Sequence, residues 1–205
     1  MANADVFENN QFEGLINGLI KNNYGCCDNF ILPQTVNGLR ANIQLLSDAG
    51  NMTFSGIGNK TDFQQNKLIR GDKINWIEAQ SLNPFELVYL QKVEHFIKYL
   101  NETCFTAIKR YESHYSSYEK DSFYKRHIDQ FKNEKGRKFS IVLYLNNDWK
   151  DTDDGLLSLY PEHGNQINIS PLGGRMVFFR SDEMEHEVHA SHTRERQSIA
   201  GWLKN

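Results

Sequence analysis

The sequence predicts a mainly β fold, a sandwich or jelly roll with N-terminal helices packed on one outer face. Two observations predict it. Up to about Asn101, apolar residues recur at helical spacing. Beyond it, the chain breaks into short runs rich in aromatic and β-branched residues, separated by Gly, Asn or Asp. No linker or internal repeat divides the 205 residues, so residues 1–205 are expected to form one domain.

Phe12, Leu15, Ile16, Leu19 and Ile20 make the apolar stripe of a first helix, and Asn22-Asn23-Tyr24-Gly25 ends it. A short strand is expected over 26–32. Pro33 suits the first turn of a second helix, with Val36, Leu39, Ile43 and Leu46 as its buried face. Residues 50–67 are polar and contain Gly56, Gly58 and Asn59, which reads as a long loop. Loops of that length in a compact domain are commonly lids, and 52–68 is the expected one. Asn83-Pro84-Phe85-Glu86 starts a third helix: a capping Asn, Pro in the first position, and Glu three residues after the cap. Tyr89, Val93, Phe96, Ile97 and Leu100 give its apolar face. Strands are expected near 106–113, 123–129, 138–145, 156–160, 175–179 and 197–203.

The composition excludes several classes. A net charge of −3 leaves no surplus of Lys and Arg for nucleic-acid phosphates. No apolar run approaches the roughly 20 residues that span a bilayer, and Met1 to Asn10 carries no signal-peptide pattern. Cys26, Cys27 and Cys104 are an odd set with two adjacent members, a poor disulfide framework. Free thiols in a reducing compartment are the simpler reading, so a cytoplasmic protein is expected, without membrane or nucleic-acid partners.

The chemistry centres on Tyr124-Lys125-Arg126-His127-Ile128-Asp129. In an extended strand, alternate side chains share a face, which would set His127 beside Asp129. An imidazole and a carboxylate make only part of a metal site. His186, in Met184-Glu185-His186-Glu187-Val188, is the candidate for the third ligand. Two His and one carboxylate leave one face of an octahedral metal open, which suits a non-haem Fe(II) oxygenase. His186 and His189 lack the His-Glu-x-x-His spacing of zinc proteases, which weighs against a hydrolase.

Several stretches together resemble the prolyl-hydroxylase branch of the Fe(II)- and 2-oxoglutarate-dependent dioxygenases, most closely the hypoxia-inducible-factor (EGL-nine) type. They are Ile69-Arg70-Gly71-Asp72-Lys73-Ile74 with Trp76-Ile77-Glu78, His127-Ile128-Asp129, and Tyr144-Leu145-Asn146 with Asp148-Trp149. Phe178-Phe179-Arg180-Ser181-Asp182, His186-Glu187-Val188, and Arg196 with Trp202 follow in the same order as in that family. The resemblance implies a double-stranded β-helix, cupin-like, which agrees with the jelly roll reached from the strand pattern.

By the same resemblance, His127, Asp129 and His186 bind Fe(II). Arg196 grips the distal carboxylate of 2-oxoglutarate, helped by Tyr144, while Tyr118 lies near the metal-binding end of that cosubstrate. A planar guanidinium suits the task because it can give a carboxylate two parallel hydrogen bonds; Arg194 is the rival cation. Asp72 and Arg137 resemble a salt bridge at the site entrance, and Trp76 and Trp202 would line that entrance. The implied reaction uses O₂ to hydroxylate a prolyl residue of a protein or peptide, at C4, while 2-oxoglutarate becomes succinate and CO₂. Ascorbate is a further cofactor that the resemblance suggests. The rival readings are an oxygenase of a free amino acid or small molecule, and a non-catalytic oxygen- or metabolite-sensing module.

Overall fold

The computed structural model describes residues 2–56, 68–130 and 136–205. Three helices, α1 (Ala2–Asn22), α2 (Pro33–Asp48) and α3 (Pro84–Cys104), come largely before the strands. The strands are β1 (Tyr24–Cys27), β2 (Thr53–Phe54), β3 (Lys73–Trp76), β4 (Arg110–Tyr118), β5 (Tyr124–His127) and β6 (Arg137–Tyr144). They continue with β7 (Leu157–Tyr160), β8 (Ile167–Ile169), β9 (Met176–Arg180), β10 (Glu185–Val188) and β11 (Arg196–Lys204). Among the described residues they form a seven-stranded sheet, β1-β9-β6-β11-β4-β3-β2, and a four-stranded sheet, β5-β10-β7-β8. All named pairs are antiparallel.

The period of two along each strand divides the larger sheet between two cores. On one face, Phe139, Ile141, Leu143, Met176, Phe178, Ile199 and Leu203 pack against Phe12, Leu15, Leu39, Val93 and Phe96 of the helices. On the other face, Tyr144, Val177 and Phe179 meet Leu157, Leu159, Ile169 and Val188 of the smaller sheet. This is the expected jelly roll with helices on one sheet. Each fully buried Phe or Leu contributes roughly 1.5–3 kcal/mol of transfer free energy, so the helix layer anchors the sheet that carries the site.

Local chemistry explains most element ends. Asn83 caps α3 as expected, its Oδ1 accepting from the N–H of Phe85 at 2.9 Å and of Glu86 at 3.3 Å. The strand expected over 26–32 is shorter: Asn29 turns to φ 53° and Phe30 N donates to Gly174 O, ending β1 at Cys27. The strand expected at 106–113 begins later, because the Asn101 side chain holds Thr106 and Ile108 in a loop. Ile20, expected in the buried stripe of α1, is 74% exposed, since α1 presents Phe12, Leu15 and Ile16 to the core. In the expected lid, Thr53 and Phe54 pair with β3, and 57–67 lies outside the described residues.

Gly25 shows how tightly α1 sits on the sheet edge: a Cβ there would meet Leu15 O at 2.1 Å and Leu15 Cα at 2.7 Å. Gly25→Ala is therefore expected to cost about 1–3 kcal/mol through overpacking. In a chain of this size each kcal/mol lowers Tm by about 2–4 °C, readable in a thermal melt. An unchanged melting point would mean that α1 adjusts without loss.

Candidate metal centre and adjoining cavity

In the ladder between β5 and β10, His127 stands directly opposite His186. Asp129 follows just beyond the end of β5, so strand alternation does not place it. Its position comes from other contacts: Ser140 Oγ donates to Asp129 Oδ2 at 2.6 Å, and Arg137 donates to the Asp129 carbonyl at 3.0 Å. The three side chains converge. Asp129 Oδ1 is 3.6 Å from His127 Nε2, and Oδ2 is 3.7 Å from His186 Nε2. One ligand atom from each lies within 4.8 Å of the others.

Both imidazoles are held in the form that a metal needs. A carbonyl only accepts, so His127 Nδ1 donates to Lys125 O at 2.8 Å and His186 Nδ1 to Met184 O at 3.1 Å. Each Nε2 lone pair is thereby left free towards the gap. Burial would raise the Asp129 carboxyl, but the facing His186 and His127 and the Ser140 hydroxyl hold it well below the usual range. Burial lowers His186 to about 4. Two imidazoles with Nε2 turned to the gap, beside one carboxylate, are a donor set for a divalent cation.

The triad opens into a cavity walled by β4, β6 and β11. Arg196, Ser198, Ala200 and Trp202 of β11 line it at alternate positions, with Ser116 and Tyr118 of β4 alongside. Arg196 is 2% exposed, and no carboxylate of the described residues reaches ion-pair distance from it. Its Nε is buried without a hydrogen-bond partner among the described residues, and so is the Tyr144 hydroxyl. The guanidinium lies 5.2 Å from the Tyr118 ring and 5.0 Å from the Tyr144 ring. Burial pushes the Tyr144 hydroxyl up to about 12, so it is protonated and able to donate. A buried guanidinium with no carboxylate partner among the described residues is costly unless a carboxylate from outside joins it. Arg194 is no rival: it lies over Trp149 at 5.3 Å, near Asp153.

The expected Asp72–Arg137 bridge is absent. Asp72 is fully buried and takes a two-pronged contact from Arg70, at 2.6 and 2.9 Å, plus the Ser55 hydroxyl at 2.6 Å. A fork two residues away orders less chain than a distant one, so Arg70 wins the carboxylate. Arg137 bonds instead to Glu112 at 3.3 Å and lies over the Trp202 ring at 3.6 Å. Trp202 does line the cavity. Trp76 is 46% exposed and packs against His114 and Trp202 from outside the wall. Arg70, His114 and Tyr124 also line the cavity. Arg70 and Tyr124 belong to the sequence motifs but have no role read from them, and His114 carries no sequence signal.

His114 and His186 make a pH prediction. Burial lowers both from 6.5 to about 4. Between those values the unfolded chain binds protons that the folded chain does not, so stability rises with pH. The metal-free protein is expected to lose a few kcal/mol as pH falls from 6.5 towards 4, at about 1.4 kcal/mol per unit for each histidine. Urea melts at pH 7.0, 5.5 and 4.5 check this, and equal midpoints would refute it.

Comparison with known proteins agrees with the geometry. A family model described as the 2OG-Fe(II) oxygenase superfamily matches residues 113–204. The chain is 29% identical over 191 residues to Egl nine homolog 1 of Homo sapiens, covering 88% of this chain and 44% of that one. It spans about half the length of the curated relatives it matches. A prolyl-4-hydroxylase from Pseudomonas putida superposes with a TM-score of 0.86 at 28% identity, covering 95% of this chain and 100% of that one. A prolyl hydroxylase from Trichoplax adhaerens, in complex with a hypoxia inducible factor oxygen degradation domain peptide fragment, gives 0.84 at 27% identity. That match covers 96% of this chain and 90% of that one.

Proposed function

We propose that this chain is a 2OG-Fe(II) oxygenase that hydroxylates a prolyl residue of a protein or peptide, as its similarity to that superfamily and to prolyl hydroxylases supports. The reaction consumes 2-oxoglutarate and O₂ and releases succinate and CO₂. One observation carries the reading: a His-Asp-His triad with free lone pairs shares a cavity with a buried guanidinium that has no carboxylate partner among the described residues. A ligand with a metal-binding 2-oxo acid at one end and a carboxylate at the other satisfies both.

In this reading His127, Asp129 and His186 hold Fe(II), which supplies the oxidative chemistry when bound. Arg196 and Tyr144 fix the distal carboxylate of 2-oxoglutarate, and Tyr118, which lines the cavity, borders the cosubstrate nearer its metal-binding end. Ser140 keeps the Asp129 carboxylate ionised and oriented. Trp202 and the Arg137 stacked on it border the entrance, with Trp76 outside and Asp72 acting through Arg70. Residues 1–205 would act as one domain. Among the described residues no helix is long and apolar enough to cross a membrane, and Cys26, Cys27 and Cys104 are free thiols. These support a cytoplasmic setting, and ascorbate is the reductant to include in assays.

The test is anaerobic loading with Fe(II) and 2-oxoglutarate, then oxygen and a proline-containing peptide library read by mass spectrometry. Succinate together with one added oxygen on proline is expected. Succinate with oxidation of a free amino acid instead would move the substrate class, and no turnover at all would favour a sensing module.

A further inference from the structure

β5 is irregular where the candidate metal ligand sits. His127 is opposite His186 and Tyr124 is opposite Val188, so three steps on β5 match two on β10. That extra residue is a β-bulge, a device that re-aims side chains and recurs beside active sites. In a regular strand, residues three apart point to opposite faces. Here they share one: the Tyr124 ring lies flat against the His127 imidazole, with centroids 3.6 Å apart and planes at 17°.

Tyr124 is itself fixed. The Arg70 guanidinium lies over its ring at 4.6 Å. Arg70 is locked by its fork to Asp72, at 2.6 and 2.9 Å. The main chain adds Gly71 N to Phe123 O at 3.0 Å and Lys125 N to Ile69 O at 2.9 Å. His127 needs such support. It is the last residue of β5, and among the described residues its Nδ1 hydrogen bond goes to Lys125 O, two residues back on the same strand. His186 is deeper and has the Phe179 ring against it at 4.9 Å.

We propose that Tyr124 is a positioning residue for His127. The bulge turns its ring under the imidazole, and the stack sets the plane that aims Nε2 at the metal. The Asp72–Arg70 pair holds Tyr124 in place. The proposal rests on the reading that His127 binds metal, and it assigns the face of the ring, rather than the hydroxyl, as the active feature.

The test uses Co(II), whose visible absorption reports coordination geometry, titrated into metal-free wild type, Tyr124→Phe and Tyr124→Leu without cosubstrate. Circular dichroism checks the fold of each. Tyr124→Phe keeps the stack and is expected to match wild type. Tyr124→Leu is expected to bind Co(II) about 10–100-fold more weakly, the usual cost of losing an outer-shell partner, and with an altered absorption band. Wild-type affinity and spectrum in Tyr124→Leu would overturn the proposal, as would a Phe variant as weak as the Leu one. If Tyr124→Leu does not fold, Tyr124→Met refills the space without a planar face and is judged by the same outcomes. Folded wild type that fails to take up Co(II) would instead sink the underlying metal reading.

Discussion

Asp129→Ala is expected to abolish metal binding and turnover together while leaving the fold recognisable. The carboxylate is the only anion of the triad, so its loss removes one ligand of three and the one negative charge that offsets the dication. Replacing a residue that merely supports a ligand weakens metal affinity by about 10–100-fold, so losing the ligand itself should exceed about 100-fold. A titration of Co(II) or Mn(II) reads the affinity, and succinate release reads the turnover. An Ala variant that binds metal within a few-fold of wild type would show that the triad is an ordinary hydrogen-bonded cluster. Ser140→Ala is the graded control, since it removes the 2.6 Å hydrogen bond to Oδ2 and keeps the charge.

Arg196→Leu should separate binding from stability. Each hydrogen bond to a charged group contributes about 1.5–3 kcal/mol, so a lost two-pronged grip should raise KM for 2-oxoglutarate by about 100-fold or more. Stability is expected to move the other way. In the ligand-free protein the guanidinium is buried without an acidic partner among the described residues, and an apolar side chain of similar volume removes that burden. The ligand-free Tm of the variant should therefore equal or exceed that of wild type. Wild type should gain Tm on adding 2-oxoglutarate with Mn(II), and the variant should gain little. A variant that melts lower and still responds to the cosubstrate would mean that Arg196 is a structural residue.

Particular residues show how far the sequence could be read. The start of α3 was legible because its cap is local: Asn83, Pro84 and Glu86 lie within one turn. The long strands of the large sheet were legible in outline, because 138–145 and 197–203 are short runs rich in aromatic and β-branched residues. Strands β8 and β10 were not, since Ile167–Ile169 is short and Glu185–Val188 is half acidic. Pairing with β7 makes them strands, and pairing is a property of the partner as much as of the segment.

The sequence by itself supplied the candidates and their order: His127, Asp129 and His186 from the chemistry of metal binding, and Arg196 from the family resemblance. It also determined the helices, whose bonds and caps are local. Only the tertiary structure decided which partner each charge takes. Asp72 has two arginines in its neighbourhood of motifs, and distance and entropy in the folded chain give it Arg70 rather than Arg137. The bulge in β5 belongs to the same class. It exists only in the register between β5 and β10, so no pattern within Tyr124–His127 could show that a tyrosine three residues away would lie against the imidazole.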